Sequence, residues 1–168
     1  YPTAWLALTG IADVRRESFQ PANELLTPSD GPESRRIATR LVGESEISAL
    51  DDRLLLDALV RFAYFDDHRG VFQASGAAGE ALDLSDRAWT WKVGSRARLA
   101  KWLELRGNVS TAFRAPSFTE LFGDRGTVRG NPELDPERGF GWDLGVAFDV
   151  DAIGPIGGAG LEVAYFRR

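Results

Sequence analysis

The chain contains no cysteine and no methionine, and its only histidine is His68. Without cysteine there are no disulfides and no thiolate metal sites. A single histidine leaves a zinc cluster or a Ser-His-Asp arrangement without its usual partner. No stretch reaches the roughly eighteen consecutive apolar residues that a membrane-spanning helix needs. That absence does not touch a membrane barrel, whose strands hide their apolar residues in alternation. Positive charge is also short: 20 Lys and Arg face 25 Asp and Glu, a net charge of −5. This balance argues against a nucleic-acid partner, which leaves a basic patch. No signal-peptide pattern opens the chain at Tyr1-Pro2-Thr3, and it closes on Arg167-Arg168 straight after an apolar alternation. Both ends are expected to be cuts through a longer protein.

What is abundant is aromatic and glycine content, with 5 Trp, 10 Phe and 18 Gly in 168 residues. The length suffices for one domain with its own core. A period of two runs through most of it. Leu6, Leu8, Ala12 and Val14 alternate with Thr9, Asp13 and Arg15, although Trp5, Ala7 and Ile11 occupy the second face as well. Ile37, Thr39, Leu41 and Ile47 alternate with Arg36, Arg40, Glu44 and Glu46. The third segment sets Leu54, Leu56, Ala58, Val60, Phe62 and Tyr64 against Asp57 and Arg61. The fourth sets Trp89, Trp91, Val93, Ala97 and Leu99 against Lys92, Arg96 and Arg98. Leu103, Leu105, Val109, Thr111 and Phe113 follow, then Phe140, Trp142, Leu144, Val146 and Phe148, then Leu161, Val163 and Tyr165. Seven strands are predicted, each with one apolar and one polar face.

The connections are sorted by length. A long polar stretch from Gln20 to Arg35, with Pro21, Pro28, Asp30-Gly31 and Pro32, is followed by the tight turn Asp51-Asp52-Arg53. Asp66 to Arg87 is long, Ala100-Lys101-Trp102 tight, Arg114 to Glu137 long, and Asp151 to Ala159, with Gly154-Pro155 and Gly157-Gly158, of middle length. An up-and-down barrel of the outer-membrane type has this alternation, with short turns at one end and long loops at the other. The polar face is heavily charged, which fits either the outside of a small soluble barrel or the wet lumen of a wide membrane barrel. Tyr64, Trp89, Trp102, Phe113, Phe140 and Phe148 sit near strand ends, where interfacial girdles belong; core aromatics at strand ends account for them equally.

Two motifs add a family to this pattern. Phe113-Arg114-Ala115-Pro116-Ser117, followed by Glu120-Leu121-Phe122-Gly123, resembles the strand exit and loop opening of TonB-dependent receptors. Gly130-Asn131-Pro132-Glu133-Leu134-Asp135-Pro136-Glu137 resembles that family's next element, and Leu161 to Phe166 its following strand. The resemblance covers about Trp89 to Phe166. In physical terms Pro116 cannot donate to a ladder and marks the strand's exit. Gly130-Asn131-Pro132 is a turn signal, and Pro132 and Pro136 stiffen the approach to the next strand.

The resemblance implies an all-β fold: an antiparallel up-and-down meander of about seven strands within a transmembrane barrel of about 22. Residues 1–168 would be a segment of that barrel, with the plug domain and the TonB-contacting segment not recognisable in it. It further implies outer-membrane location and active uptake of a scarce solute, such as a ferric siderophore or cobalamin. The partners implied are lipid, the plug, the remaining strands, the TonB complex and the solute itself. Neither a cofactor nor an enzymatic activity is expected. Arg114, Arg125, Arg129 and Asn131 are candidate contacts for an anionic solute, because Arg offers planar, multi-donor recognition. The competing role for the same motifs is to build the rim and orient the loop exits. Asp66-Asp67-His68-Arg69 reads as a solvated turn and not a metal site. Two other function classes stay open, a soluble all-β ligand-binding module of the carbohydrate-binding kind and a passive porin-like channel.

Overall fold

The computed structural model describes residues 5–22, 25, 31–70, 81–124, 127–150 and 157–168. Arg125, Pro28, Asp30 and Gly154-Pro155 lie outside them. Seven strands form one antiparallel sheet in chain order: β1 (Leu6–Phe19), β2 (Ser34–Ala49), β3 (Leu54–Arg69), β4 (Leu82–Ala100), β5 (Leu103–Arg114), β6 (Glu137–Val150) and β7 (Ala159–Arg167). One short helix, α1 (Phe118–Phe122), interrupts the connection between β5 and β6. The alternation thus gives a meander with every neighbour adjacent in sequence.

The strands run further than their apolar alternation marks. β3 continues through Asp66, Asp67, His68 and Arg69, and β4 already begins at Leu82. The solvated turn expected at Asp66–Arg69 is therefore strand, and Asp67 is buried, 6% exposed. Charged residues at a strand's end break the apolar pattern without breaking the ladder, because the ladder is made by backbone groups. Among the described residues no group of three or more potential ligands is placed to hold a metal ion.

Register decides which face is which. Leu8, Leu41, Val60, Trp89, Trp142 and Tyr165 belong to one face, and they are exposed: Leu8 74%, Trp89 65%, Leu161 62%. The buried residues belong to the other face or to the segment folded over it: Ser34, Arg36, Ala63, Asp67, Ala88 and Thr90, with Leu121 and Phe122 of the helix. Among the described residues nothing covers the apolar face, whereas packing occurs on the charged one. This is the inverse of a soluble sandwich, whose apolar faces close on each other.

Cross-strand ion pairs neutralise the charged face. Asp13 lies opposite Arg40 and bonds it at 2.6 Å. Lys92 reaches Asp57 at 3.5 Å, Arg106 reaches Glu162 at 3.4 Å while also taking Glu104 of its own strand at 2.7 Å, and the Asn108 amide donates to Asp143 at 2.9 Å. Exposed pairs of this kind contribute little each, up to about 1 kcal/mol, but they leave the face polar without leaving it repulsive.

Candidate functional site

The two ends of the sheet differ in how they connect strands, and the long-loop end carries the built structure. It starts with β5. Up to Ser110 this strand pairs with β4; beyond, it pairs with β6 alone, through Arg114 opposite Glu137. Phe113, whose place in the alternation assigns it to the apolar face, instead stacks on Phe65 of the charged face, with ring centroids 5.6 Å apart. The strand end has swung inward, so Phe113 does not join an outward girdle.

What holds the swing is a buried clasp. Arg36 on β2 and Asp67 on β3 are directly opposite each other. They form two parallel bonds, Nε to Oδ1 at 2.6 Å and Nη2 to Oδ2 at 2.7 Å. The same Nη2 donates to the Pro116 carbonyl at 2.8 Å. The guanidinium also stands over the rings of Phe65 and Phe118, at 5.5 and 5.2 Å. A charge pair taken out of water needs such geometry and extra hydrogen bonds to offset its desolvation. Pro116 lacks an N–H and so leaves the ladder, and its carbonyl accepts from Arg36 on the clasp.

A second knot lies beside it. Arg114 spans two carboxylates: Nε and Nη2 reach Glu137 at 3.0 and 2.6 Å, and Nη1 and Nη2 reach Glu120 at 3.0 and 3.1 Å. Glu120 also accepts the Ser117 backbone N–H at 2.7 Å while Ser117 Oγ accepts the Glu120 N–H at 3.3 Å, a reciprocal cap that starts α1. Arg114 first, and then the Ser117 N–H, hold the Glu120 carboxyl down to about 2. The helix ends at Gly123, whose φ of 76° suits glycine. Gly130 then packs so tightly on the helix end that a Cβ there would strike backbone atoms of Leu121, Phe122 and Gly123. Asn131 donates its N–H to the Glu120 carbonyl at 2.8 Å, and its side chain accepts from Glu133 N at 3.0 Å.

The expected solute contacts therefore fall in different places. Arg114 is engaged by two carboxylates and Asn131 holds the turn that closes the loop. Arg129 is exposed, with no partner among the described residues. Below the loop, a cavity of about 320 Å³ opens on the charged face between Ala63, Ala88, Arg61 and the Phe65–Phe113 stack. Arg61 there bonds only the Thr90 hydroxyl, at 2.9 Å, among the described residues. The alternation identified Arg36 and Arg61 as polar-face residues but did not single them out. The sequence signal for the clasp was an Arg and an Asp at the outer ends of neighbouring strands, readable only once the register is known. For the helix the signal was present, since Ser117 and Glu120 have the capping-box spacing.

Comparison with known proteins gives a consistent family. The family model described as "TonB dependent receptor-like, beta-barrel" matches residues 6–168. Transferrin-binding protein A of Neisseria meningitidis serogroup B is 33% identical over 103 residues, covering 61% of this chain and 10% of that protein. The same figures hold for transferrin-binding protein A of Neisseria gonorrhoeae. The chain thus spans about a tenth of the length of the curated relatives it matches. Among solved structures, the Serratia marcescens hemophore receptor HasR, a double mutant in complex with its hemophore HasA and heme, has the same fold. Its TM-score is 0.64 at 18% identity, over 96% of this chain and 32% of HasR.

Proposed function

We propose, for a chain that belongs to the TonB-dependent receptor-like β-barrel family, that it forms wall and outer rim of a receptor for energised nutrient uptake. The family is one of outer-membrane proteins. In this reading the apolar face meets lipid, the charged face lines the lumen, and the 115–136 loop lies at the outside.

The observation that carries the reading is the pattern on the exposed apolar face. Near the turn end Trp102 stacks on Phe148, centroids 6.3 Å apart. Towards the loop end Phe62 and Trp89 pair at 4.9 Å, and Trp142 and Tyr165 at 5.4 Å, with Tyr64 and Phe140 each two residues nearer that end on β3 and β6. From Phe140 to Phe148 along β6 is about 26 Å at the rise of a strand, close to the roughly 25 Å apolar band of outer-membrane barrels. Aromatic residues at both limits of an uncovered apolar band suit two membrane interfaces. Above the outer level the same face turns polar, with Asp66, His68, Asp83 and Arg87.

The nutrient is either a free small solute, such as a ferric siderophore or cobalamin, or one delivered by a carrier protein, as the names of the transferrin and hemophore receptors suggest by analogy. Contact with it falls to Arg125 and Arg129 on the loop and to Arg61 below it, while Arg114 and Asn131 hold the rim. The plug, the remaining strands and the TonB complex are the partners this role requires. The test is expression of the full-length protein in a Gram-negative host. An outer-membrane, heat-modifiable product that supports TonB-dependent growth on a limiting nutrient is expected; a soluble product with its apolar faces packed together would overturn the reading.

A further inference from the structure

β4 is 19 residues long, yet its ladder with β5 covers only Lys92 to Ala100. The ladder stops on a side chain. Thr111 Oγ1 accepts the Trp91 N–H at 3.0 Å and donates to the Trp91 carbonyl at 3.5 Å, standing in for the next strand residue. From there to Leu82, β4 has β3 on one side and, among the described residues, no strand on the other. This open edge lies between neighbouring strands, at neither margin of the sheet. Its cause is the inward swing of β5, fixed by the bond from Arg36 to the Pro116 carbonyl.

By the period of two, the N–H groups of Asp83, Ser85, Arg87 and Trp89 point the same way as that of Trp91. The Asp86 side chain takes the Arg87 N–H at 2.7 Å. Its second oxygen, Oδ2, is buried with no hydrogen-bond partner. A cavity of about 600 Å³ occupies the slot between this edge and the loop. Leu84, Leu121 and Leu134 give it apolar surface; Asp86, Glu133 and Asp135 make it acidic, against one cation, Arg138. Asp67 also borders it, but Arg36 already neutralises that carboxylate.

We propose that this slot receives an extended polypeptide segment of a carrier protein, which adds a strand to the outer half of β4 and sets a lysine or arginine against Asp86. Open edges are templates for strand addition, and main-chain bonds with one or two side-chain pockets are how such addition binds and discriminates. The segment would pair with the edge at Asp83, Ser85 and Trp89, the Arg87 N–H being held by Asp86, and supply the cation that the orphaned carboxylate oxygen lacks. A small solute could meet the charge but not the row of backbone groups. The inference deepens the receptor reading and rests on it, since the slot must face the outside.

The test uses the full-length receptor in detergent and a fluorescent decapeptide of alternating threonine and lysine as the probe. Two further peptides carry N-methyl groups on the threonine amides or on the lysine amides. Strand addition uses every second amide, so one methylated series should lose at least about tenfold in affinity and the other keep it. In the receptor, Ser85→Pro removes one edge donor while sparing the β3 ladder, as proline is tolerated on a free edge. Both it and Asp86→Asn should weaken the unmodified peptide by about tenfold. Equal binding of all three peptides would overturn the proposal, as would peptide binding that ignores both substitutions. No binding to a receptor that is heat-modifiable in the outer membrane would mean that the slot is filled by the protein's own segments; this too overturns docking while leaving the receptor reading in place. Should Ser85→Pro fail to assemble, Asp86→Asn and the methylated peptides still decide.

Discussion

At one end of the sheet β2 turns into β3 through Leu50, Asp51 and Asp52, three non-glycine residues with φ of 55°, 55° and 62°. The chain spends almost nothing else there: Arg53 donates to Leu50 at 3.2 Å, and Ser48 contacts the Asp52 carboxylate. At the other end, residues 115–136 separate β5 from β6, and the Pro116 carbonyl, Ser117, Glu120, Thr127 and Asn131 each have a hydrogen-bond partner within the loop or on the strands beneath. The first end accepts backbone strain to stay short. The second uses buried charge, a capped helix turn and a tight glycine contact to hold a long segment in one shape. A connection that only reverses the chain needs few interactions of its own, whereas a long loop must offset about 1–2 kcal/mol of conformational entropy for each residue it orders.

The largest difference between the two ends is expected from the clasp. Arg36→Ala leaves Asp67 buried without a counter-charge and should destabilise the loop end by about 3–5 kcal/mol. Hydrogen exchange of the full-length protein would show this as faster exchange across residues 115–136, with the 50–53 turn unchanged. The double replacement Arg36→Met with Asp67→Leu should recover much of the loss, because an apolar pair carries no desolvation penalty. If the single replacement leaves loop exchange as it was, the clasp is not what orders the loop.

A smaller effect is expected from acid. The Glu120 carboxyl is held down to about 2 from an ordinary 4.5. A depressed folded-state value means that its stabilisation is fully present above pH 4.5 and is lost as pH falls towards 2. A spin label at Val128→Cys should therefore stay immobile from neutral pH to about 5 and gain mobility below about 4. With Glu120→Gln the label should be more mobile throughout and lose that pH step. A step retained in the glutamine variant would assign it to another group.

The smallest effect, and the only gain, belongs to the turn end. Leu50 is 71% exposed and adopts a left-handed conformation that costs side chains about 1–2 kcal/mol. Leu50→Gly removes that cost but adds unfolded-state entropy, so a net stabilisation below about 1 kcal/mol is expected. It would be read as a slightly higher temperature for loss of the folded, heat-modifiable band. A loss of stability instead would show that the turn depends on more than its backbone angles.

All seven strands could be read from alternation, because a period of two is written in single residues. Their outer ends could not: Asp66 to Arg69 and Leu82 to Arg87 carry charges that look like loop, and only the ladder shows that they are strand. The capping box of α1 was visible in Ser117 and Glu120 but was absorbed into a family signature. Arg114, Glu120, Asn131, Glu133 and Glu137 all stand in the family motifs, but that Arg114 pairs with Glu120 and Glu137 and that Asn131 accepts from Glu133 came only with coordinates.

By itself, then, the sequence determined the meander, the sorting of short and long connections and the two opposed faces, since each depends on residues close together in the chain. It also carried the family, through motifs of contiguous residues. Tertiary structure decided which face is packed and which is left bare, because both faces alternate equally well and only register and loop placement distinguish them. It decided the clasp and the open edge of β4 as well. These join Arg36, Asp67, Trp91, Thr111 and Pro116 across four strands and a loop, and no local pattern encodes a meeting between residues so far apart.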